Sequence, residues 1–385
     1  MLRGQCPGAS GLRASTLARV EGLVIGIDAS LLAGRFTGDR TYWRHLIRAL
    51  TALRIGHSYI LYTPEPIVGF ECAGDTVEMR VVPARNRRWW SMVVLPAAAR
   101  RDGVCLLHSQ YTISPLLRVT AVTTVHDVSF LIGPEWFRPR DRLLLRLSVP
   151  ASIHRAAKVL TVSETSRADI ERLIPSARGK TVATPLGTPD GFRRIAEASS
   201  IVQQRFGLSQ PYALAVGTRQ PRKNLPMLVR AFEQAVAKHG LPHKLALVGK
   251  SGWGPLVEGP HVRDLGYVPD EALPALYSGA DAFFFPSLYE GFGLPVLEAM
   301  ACGCPVVCSD GGALPEVAGD AAWVVSAADE GAWADAIGRV LDSPDLREEL
   351  AAKGAERARM FSWRDTAERT AEVYREVAKW SPRNF

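Results

Sequence analysis

Short apolar runs that end in glycine or polar residues recur along this chain and alternate with longer amphipathic segments. Residues 23–28, 121–125, 212–217 and 245–249 are four such runs. Runs of this length are typical of strands that are covered on both faces of a parallel sheet. Between the runs, apolar residues recur at helical spacing, as in residues 42–50. The alternation predicts doubly wound α/β architecture.

The length of the chain predicts two such domains. At 385 residues it exceeds what one hydrophobic core usually supports. A turn-rich stretch, residues 183–190, ends the first unit, so we place the first domain at residues 21–190 and the second at 191–362. Residues 363–385 are predicted to form a final helix. Residues 1–20 have no acidic residue and no apolar core of a secretory signal, and we interpret them as a disordered tail or a misassigned start.

Residues 281–300 are predicted to turn from a buried strand through glycines into a helix. Gly291 and Gly293 permit backbone geometry that a Cβ atom would forbid, and Pro295 suits the first turn of a helix. The N–H groups and the dipole at such a helix start favour an anion, and a diphosphate satisfies both. This stretch therefore predicts an anion site.

Two glutamates flank that predicted anion site. Glu290 stands just before the turn, and Glu298 lies about one helical turn inside the helix. A carboxylate accepts two hydrogen bonds from a vicinal diol, so each glutamate could hold a sugar ring on one side of the diphosphate. The pattern predicts a nucleotide-sugar site, although acidic residues at a helix start are also explained by the dipole alone.

Cations and a histidine follow other predicted strands. Arg222 and Lys223 come shortly after the run 212–217, where they could neutralise a departing diphosphate. His126 ends the run 121–125, at a strand end of the kind that carries functional loops in open α/β sheets. We expect its imidazole to contact a sugar or the leaving phosphate, with Asp127 fixing its orientation.

The segment Glu-x7-Glu, with Gly-Phe-Gly-Leu-Pro between the acids, resembles the C-terminal signature of retaining glycosyltransferase family 4. In that family the first acid, here Glu290, lies by the donor sugar, and the second, here Glu298, holds the ribose. The blocks His-Asp-Val-Ser-Phe at residue 126 and Gly-Thr-x-x-Pro-Arg-Lys-Asn at residue 217 are similar to further elements of the family. The resemblance covers nearly all of residues 23–380.

The resemblance implies the GT-B fold, in which two Rossmann-like parallel-sheet domains face each other across a cleft. It also implies that the first domain lies on the acceptor side, that the last helix crosses back to it, and that the sugar is transferred with retention. The expected catalytic residues are His126, Arg222, Lys223 and Glu290. The expected donor-binding residues are Gly38 in an N-terminal glycine loop, Gly217, Thr218, Val268 at the nucleobase, Gly291, Phe292, Gly293, Leu294 and Glu298.

Composition and charge limit the partners. The chain is 47% hydrophobic and 22% charged, and no apolar run approaches the roughly 18 residues of a membrane span. Its six cysteines lack zinc-like spacing, so free thiols and a cytoplasmic location are expected. Residues 1–190 carry 25 Lys and Arg against 15 Asp and Glu, which favours an anionic partner. The sequence has no platform of interleaved basic and aromatic residues of the kind that binds nucleic acid, so no nucleic-acid partner is expected.

Residues 85–102 place basic residues around a Trp-rich apolar segment. Such a segment is compatible with a domain helix that has a solvated basic end, and also with contact at an anionic membrane surface. The expected acceptor is a glycan or lipid-linked glycan. The basic first half suits a lipid-diphosphate or anionic glycolipid acceptor at the cytoplasmic, inner membrane face.

The donor stays open at this point. The motifs look most like mannosyltransferase members, which makes GDP-mannose the first expectation and a UDP-hexose the second. No Asp-x-Asp element stands at a strand end, so we expect no metal and no cofactor beyond the nucleotide-sugar. A nucleotide-sugar epimerase and a catalytically silent, nucleotide-binding scaffold are the alternatives.

Overall fold

The computed structural model describes residues 22–33, 38–72, 76–255 and 257–379, and within them the chain forms two parallel sheets. The first sheet has seven strands in the order β3-β2-β1-β4-β5-β6-β7. Its strands are β1 Val24–Asp28, β2 Ser58–Thr63, β3 Val77–Val81, β4 Leu106–Gln110, β5 Thr120–Thr124, β6 Lys158–Thr161 and β7 Thr181–Ala183. The second sheet has six strands in the order β10-β9-β8-β11-β12-β13. These are β8 Tyr212–Val216, β9 Lys244–Val248, β10 Val262–Gly266, β11 Ala282–Phe285, β12 Val306–Ser309 and β13 Trp323–Val325.

Helices cover both faces of the sheets. In the first half they are α1 Gly38–Ala52, α2 Arg87–Trp89, α3 Leu95–Arg101, α4 Ser129–Ile132, α5 Pro139–Arg155 and α6 Glu164–Leu173, with a π-helical turn at Trp90–Val94 that joins α2 to α3. In the second half they are α7 Ala198–Phe206, α8 Leu225–His239, α9 Leu273–Gly279, α10 Leu294–Ala301, α11 Leu314–Ala318, α12 Glu330–Asp342, α13 Pro344–Arg359 and α14 Trp363–Ala378. The expected fold of two doubly wound parallel-sheet α/β domains is therefore confirmed.

Burial explains why these segments form these elements. Every residue of β11 is buried, as its run of apolar and aromatic side chains predicts for a central parallel strand. The stripe of apolar residues on α1 is buried as well, and includes Tyr42, Leu46 and Leu50. Each sheet reverses its strand order once, between β1 and β4 and between β8 and β11. Loops that follow strands at such a reversal form the usual binding crevice of an open α/β sheet.

The chain passes between the two domains twice, and the two crossings lie side by side. The backbone N–H of Thr188 donates to the carbonyl oxygen of Phe361 at 3.1 Å, and the hydroxyl of Thr366 donates to the carbonyl oxygen of Pro185 at 2.6 Å. A Cβ atom on Gly187 would lie 2.1 Å from the backbone nitrogen of Trp363, so only glycine permits this approach. The crossings are thus fastened to each other.

Helix α14 packs on the first domain, against α1 and strands β4, β5 and β6. Its Tyr374 shares a buried hydrogen bond of 2.6 Å with Nδ1 of His108 on β4. The hydroxyl of Tyr374 thereby satisfies a buried imidazole that would otherwise lose its hydrogen bond to water. Residues 380–385 and the predicted tail at residues 1–20 lie outside the described residues.

The structure differs from the sequence-based expectation at Gly38. We expected it in a glycine loop, whereas helix α1 already begins at Gly38, with Asp39 in the first turn. An acidic residue at this place is stabilised by the helix dipole, which favours an early start of the helix. A Cβ atom built on Gly38 would have no neighbouring atom within 4 Å, and the backbone there is not in the left-handed region. The position therefore has room for a side chain.

Candidate active site between the two sheets

The centre of the candidate site is Glu290, whose carboxylate lies between two cations. One oxygen, Oε2, lies 2.8 Å from a guanidinium nitrogen of Arg222, and the other, Oε1, lies 2.6 Å from Nζ of Lys223. All three side chains are largely buried. Two positive charges and one negative charge leave this cluster with a net positive charge, which suits the binding of an anion.

The cluster fixes the charge state of the glutamate. Burial alone would raise the pKa of Glu290, but the charges of Arg222 and Lys223 outweigh it and hold the pKa at about 2. Burial also lowers the pKa of Lys223, against the opposing charge of Glu290. Glu290 is therefore ionised at neutral pH and cannot supply a proton to a reaction there.

The two cations reach Glu290 because of the turn that follows strand β8. Residues Pro221–Lys223 form one turn of 3-10 helix, and Asn224 then adopts a left-handed conformation with φ of 53°. The carbonyl oxygen of Arg222 accepts a hydrogen bond of 2.8 Å from Leu288 N, which ties the turn after β8 to the loop after β11. Both loops leave the sheet at its point of strand reversal.

The turn before α10 needs glycine twice. Gly293 has φ of 112°, a conformation that L-residues with a side chain rarely adopt. A Cβ atom on Gly291 would lie 2.9 Å from both Asp127 Cβ and His126 O, so at this point the second domain touches the first. Helix α10 then begins at Leu294, and the positive end of its dipole at this turn suits an anion.

A cavity of about 220 Å³ adjoins this helix start, and six of the predicted donor-binding residues line it. They are Gly38 from the first domain and Gly217, Thr218, Val268, Leu294 and Glu298 from the second. Glu298 is buried, and its Oε2 accepts a hydrogen bond of 3.1 Å from the hydroxyl of Tyr277. Burial raises the pKa of Glu298 to about 7. The two glutamates of the motif therefore have very different charge behaviour.

Phe292 is placed differently from the other predicted donor-binding residues. Its side chain is buried in the hydrophobic core and makes an edge-to-face contact with Phe361. Only the backbone of Phe292 is thus left for a contact with an anion in the turn.

His126 lies two residues beyond the end of β5, and its carbonyl oxygen approaches Gly291 of the second domain. Its Nε2 is 2.6 Å from Nε2 of Gln110 and 3.6 Å from Oδ1 of Asp39. Burial lowers the pKa of His126, although Asp39 and Asp127 oppose this effect. A neutral imidazole accepts at one nitrogen and donates at the other, so His126 can accept the N–H of Gln110.

Asp127 does not bind the imidazole, contrary to the expectation that it would orient His126. Its Oδ1 accepts a hydrogen bond of 2.8 Å from the backbone N–H of Ser129, at the start of helix α4. The side chains that hold His126 are instead Gln110 and Asp39, which share a hydrogen bond of 2.8 Å. Sequence reasoning missed both. The polar end of the buried run at residues 106–110 was the available signal.

A second cavity, of about 190 Å³, lies at the strand reversal of the first sheet and was also missed. Asp28, Trp43, Arg87 and Gln110 are among the residues that line it. Among the described residues, Nε1 of Trp43 and Oε1 of Gln110 are buried and have no hydrogen-bond partner. A buried donor and a buried acceptor without partners are costly, and both belong to side chains that line this cavity.

Other features of the described residues bear on the expected cofactors and thiols. Cys72, Cys105, Cys302, Cys304 and Cys308 are free thiols. Within the parts of the chain that the structure describes, no three His, Cys, Asp or Glu side chains are grouped so that they could hold a metal ion. The residues that the site brings together are thus mainly cations, carboxylates and hydrogen-bonding groups.

Two family models match the chain, one on each domain. Residues 37–190 match the model described as Glycosyltransferase Family 4, and residues 198–357 match the model described as Glycosyl transferases group 1. Together they span most of both domains.

Similar proteins agree with these models. The chain is 40% identical to the O-antigen chain mannosyltransferase B of Escherichia coli over 268 residues, which are 66% of this chain and 70% of that protein. It is 30% identical to a D-inositol 3-phosphate glycosyltransferase of Saccharomonospora viridis, over 75% of this chain and 68% of that protein. The solved structure of sucrose-phosphate synthase from Thermosynechococcus elongatus superposes with a TM-score of 0.73 at 24% identity, covering 93% of this chain and all of that chain. That likeness concerns the fold.

Proposed function

The chain belongs to glycosyltransferase family 4, and on that premise we propose that it transfers a hexose with retention from a nucleoside diphosphate sugar to a hydroxyl of a glycan or lipid-linked glycan. The observation that carries this proposal is the buried cluster of Glu290, Arg222 and Lys223 beside the glycine turn that precedes α10. Similarity to a mannosyltransferase at 40% identity makes mannose from GDP-mannose the first candidate. A UDP-hexose is the second.

The cluster of Glu290, Arg222 and Lys223 acts in the step in which the nucleoside diphosphate leaves the sugar. Negative charge develops on the bridging oxygen as the bond to the sugar breaks, and fixed cations in a site that excludes water stabilise it. Arg222 and Lys223 supply two such charges, and the positive end of the α10 dipole supplies a partial one. This positive charge is the basis for proposing that the reaction needs no metal.

Glu290 has a positioning role in this mechanism. Since its pKa is about 2, it is a permanent carboxylate that can accept hydrogen bonds from hydroxyls of the donor sugar. Both of its oxygens are already bound to cations, which lowers their reactivity as nucleophiles. This favours front-face substitution over a double displacement through a covalent intermediate.

His126 approaches the same centre from the first domain and would contact the donor sugar. Its backbone oxygen lies against Gly291, two residues before the left-handed Gly293. Gln110 binds its imidazole on the side of the second cavity. The backbone of His126 therefore adjoins the turn that would hold the diphosphate, and its imidazole binds Gln110, which lines the cavity of the first domain.

The cavity of the first domain fits the acceptor. Its unpartnered atoms are one donor, Nε1 of Trp43, and one acceptor, Oε1 of Gln110, which is the pair that a sugar hydroxyl can satisfy. The carboxylate of Asp28 also lines this cavity, partly buried, and burial raises its pKa. A neutral hydroxyl-rich group suits this lining better than a phosphate does, because the carboxylate lies with Arg87 and leaves no unbalanced positive charge for an anion.

Both matched models are glycosyltransferase models, so the epimerase alternative has no support. The scaffold alternative predicts nucleotide binding without turnover. A thermal-shift screen of nucleoside diphosphates and their sugars tests the first part of the proposal, since a ligand stabilises the folded state by mass action. Incubation of the stabilising donor with glycan acceptors, followed by product analysis, tests the second. A protein that no nucleoside diphosphate stabilises would contradict the proposal, and a donor that stays intact with every acceptor would favour the scaffold.

A further inference from the structure

Helix α5 turns three of its four leucines toward solvent. Leu143, Leu144 and Leu147 are 60%, 52% and 67% exposed, whereas Val149 and Ile153 of the same helix are fully buried. The three leucines share one helical face, at spacings of one and four residues. A helix that only covers a sheet places its apolar residues on the inner face and polar residues outside. The outer face of α5 therefore carries exposed apolar residues that do not pack in the core of the first domain.

Further exposed apolar side chains come from two segments that hydrogen bonds connect to each other and to α5. Trp89, Met92 and Leu116 are each more than a third exposed. The hydroxyl of Ser114 donates to the carbonyl oxygen of Met92 at 2.6 Å, which joins these two segments to each other. The loop at residues 113–117 is joined to α5 in turn, because Arg155 donates to the carbonyl oxygens of both Pro115 and Leu117. We call the outer surface of residues 85–92, 115–118 and 138–151 the apolar-basic face.

The charges on this face have one dominant sign. Residues 85–92, 115–118 and 138–151 contain eight arginines and a single acidic residue, Asp141. Six of the arginines make no side-chain hydrogen bond or ion pair among the described residues: Arg85, Arg88, Arg118, Arg140, Arg142 and Arg146. Unpaired cations around exposed leucines are complementary to a surface that is negatively charged outside and apolar beneath.

From this complementarity we propose that the apolar-basic face docks on the surface of an anionic lipid bilayer. The arginines would lie among the lipid headgroups, while the leucines and Trp89 enter the boundary between headgroups and acyl chains. Among the helices that the structure describes, none is long and apolar enough to cross a bilayer. The proposed contact is with the surface only.

The same segment that carries Trp89 also lines the proposed acceptor cavity. Trp89 is 53% exposed on the outer side, whereas Trp90 is 1% exposed and lines the cavity together with Ser91. Arg87 lines it too, and donates to the carbonyl oxygen of Ser30 at 3.3 Å. The wall of the cavity is thus the inner side of the docking face. An acceptor anchored in the bilayer by a lipid would find the cavity beside the membrane surface.

Vesicle co-sedimentation tests the proposal with the whole chain and without any turnover, so its outcome is independent of the proposed function. The protein should sediment with vesicles of phosphatidylglycerol and phosphatidylcholine at low salt, and less with phosphatidylcholine alone or at high salt. Joint replacement of Arg140, Arg142 and Arg146 by Gln should lower the partition coefficient about a hundredfold, since each cation contributes about a factor of five. Joint replacement of Leu143, Leu144 and Leu147 by Ser should lower it at least about tenfold.

Matched variants on other surfaces complete the test. Joint replacement of Arg205, Arg263 and Arg359 by Gln removes the same charge from exposed positions of the second domain and should leave binding within about twofold. The double variant Val68→Ser and Met360→Ser is the control for the leucine variant. It replaces exposed apolar residues elsewhere on the protein and should also leave binding within about twofold. Melting curves show whether each variant is folded. Equal loss in patch and control variants would overturn the proposal, as would a wild-type protein that ignores anionic vesicles. A wild-type dimer that the leucine variant separates would assign this face to a second copy.

Discussion

The hydroxyl of Ser163 donates a hydrogen bond of 2.7 Å to the carbonyl oxygen of Gly291, and so joins the first domain to the glycine turn of the candidate site. Ser163 also caps helix α6, because the same hydroxyl oxygen accepts from Ser166 N at 3.0 Å. The position of the turn is therefore set by both domains. The two domains have to be in contact for this turn to keep its hydrogen bond to Ser163.

Glu316 makes a second contact of this kind and provides the first prediction. Its two oxygens accept hydrogen bonds of 2.9 Å from Glu164 N and Thr165 N, at the start of α6. Glu316→Gln keeps the shape but loses the charge at the positive end of that helix, so the free energy of unfolding should fall by about 1 kcal/mol. Small-angle scattering should show a larger radius of gyration because the cleft opens. Glu330→Gln, whose partner Arg230 lies in the same domain, should leave the radius unchanged.

The second prediction separates the roles of the two motif glutamates. Glu290→Gln should reduce kcat by roughly 10²-fold or more, with little change in affinity for the free nucleoside diphosphate. Glu298→Gln should weaken nucleotide binding by roughly 1–2 kcal/mol, because a carboxylate accepts two hydrogen bonds where an amide accepts one. Calorimetry with the free nucleotide and initial rates measure both. The reverse ordering would reject the assignment.

The third prediction concerns the cations. Arg222→Ala and Lys223→Ala should each slow transfer by roughly 10²-fold or more if they stabilise the charge of the leaving group. Removing one partner of a buried ion pair also costs roughly 3–5 kcal/mol of stability, so rates must be compared on folded protein. Arg219→Ala is the matched control, because Arg219 pairs with Asp264 instead of Glu290. Rates near wild type in the first two variants would remove both cations from the mechanism.

The fourth prediction follows from the raised pKa of Glu298. Burial places this pKa at about 7 in the folded protein, against 4.5 for an exposed carboxyl. The folded state therefore holds the proton more tightly, and stability decreases as pH rises from about 4.5 through about 7. Relative to Glu298→Gln, the wild type should lose up to roughly 3 kcal/mol over this range.

Urea unfolding at about pH 5 and about pH 8 measures that difference. Because the nucleotide would bind the ionised carboxylate, its affinity should rise over the same range in the wild type and stay flat in Glu298→Gln. Parallel stability profiles of the two proteins would contradict the raised pKa. Glu290, whose pKa is about 2, should contribute stability above about pH 4.5 that is lost only as pH falls toward 2.

The fifth prediction tests the acceptor cavity. Trp43→Phe removes Nε1, which has no hydrogen-bond partner among the described residues, so the free protein loses no hydrogen bond. The KM for the acceptor should rise about tenfold, while the KM for the donor stays unchanged. Trp333→Phe is the comparison, because its Nε1 donates to Ser326 O at 3.1 Å within the second domain. A change that affects donor and acceptor KM equally would indicate a structural role for Trp43.

The sequence patterns predicted the strands, turns and helices well because each of these elements depends mainly on residues that are close together in the chain. The strand, glycine turn and helix of residues 281–300 depend on neighbouring side chains, and the structure has β11, the left-handed Gly293 and α10 in that order. Strand order is different, because it depends on how distant segments pair. Without it, the reversal between β1 and β4 could not be located, nor the cavity that lies there.

The partners of His126 show the same limit. Sequence proximity suggested Asp127, but consecutive residues after a strand point in different directions, and Asp127 binds the backbone of Ser129. Asp39 and Gln110 reach the imidazole from 87 and 16 residues away along the chain. Similarly, the motifs placed Arg222, Lys223 and Glu290 near one diphosphate, but their direct ion pairs became visible only in the structure.

The fastening of Thr188 to Phe361 restricts how the cleft can open. Two chain segments that are hydrogen-bonded side by side act as a single hinge. We therefore expect the two domains to rotate about one axis only. Sliding or twisting would break the hydrogen bonds at Thr188 and Thr366, whereas a swing leaves them intact. A group in the cleft would then move along an arc whose length grows with its distance from that axis. Contacts near the hinge would therefore form before those at the far end of the cleft.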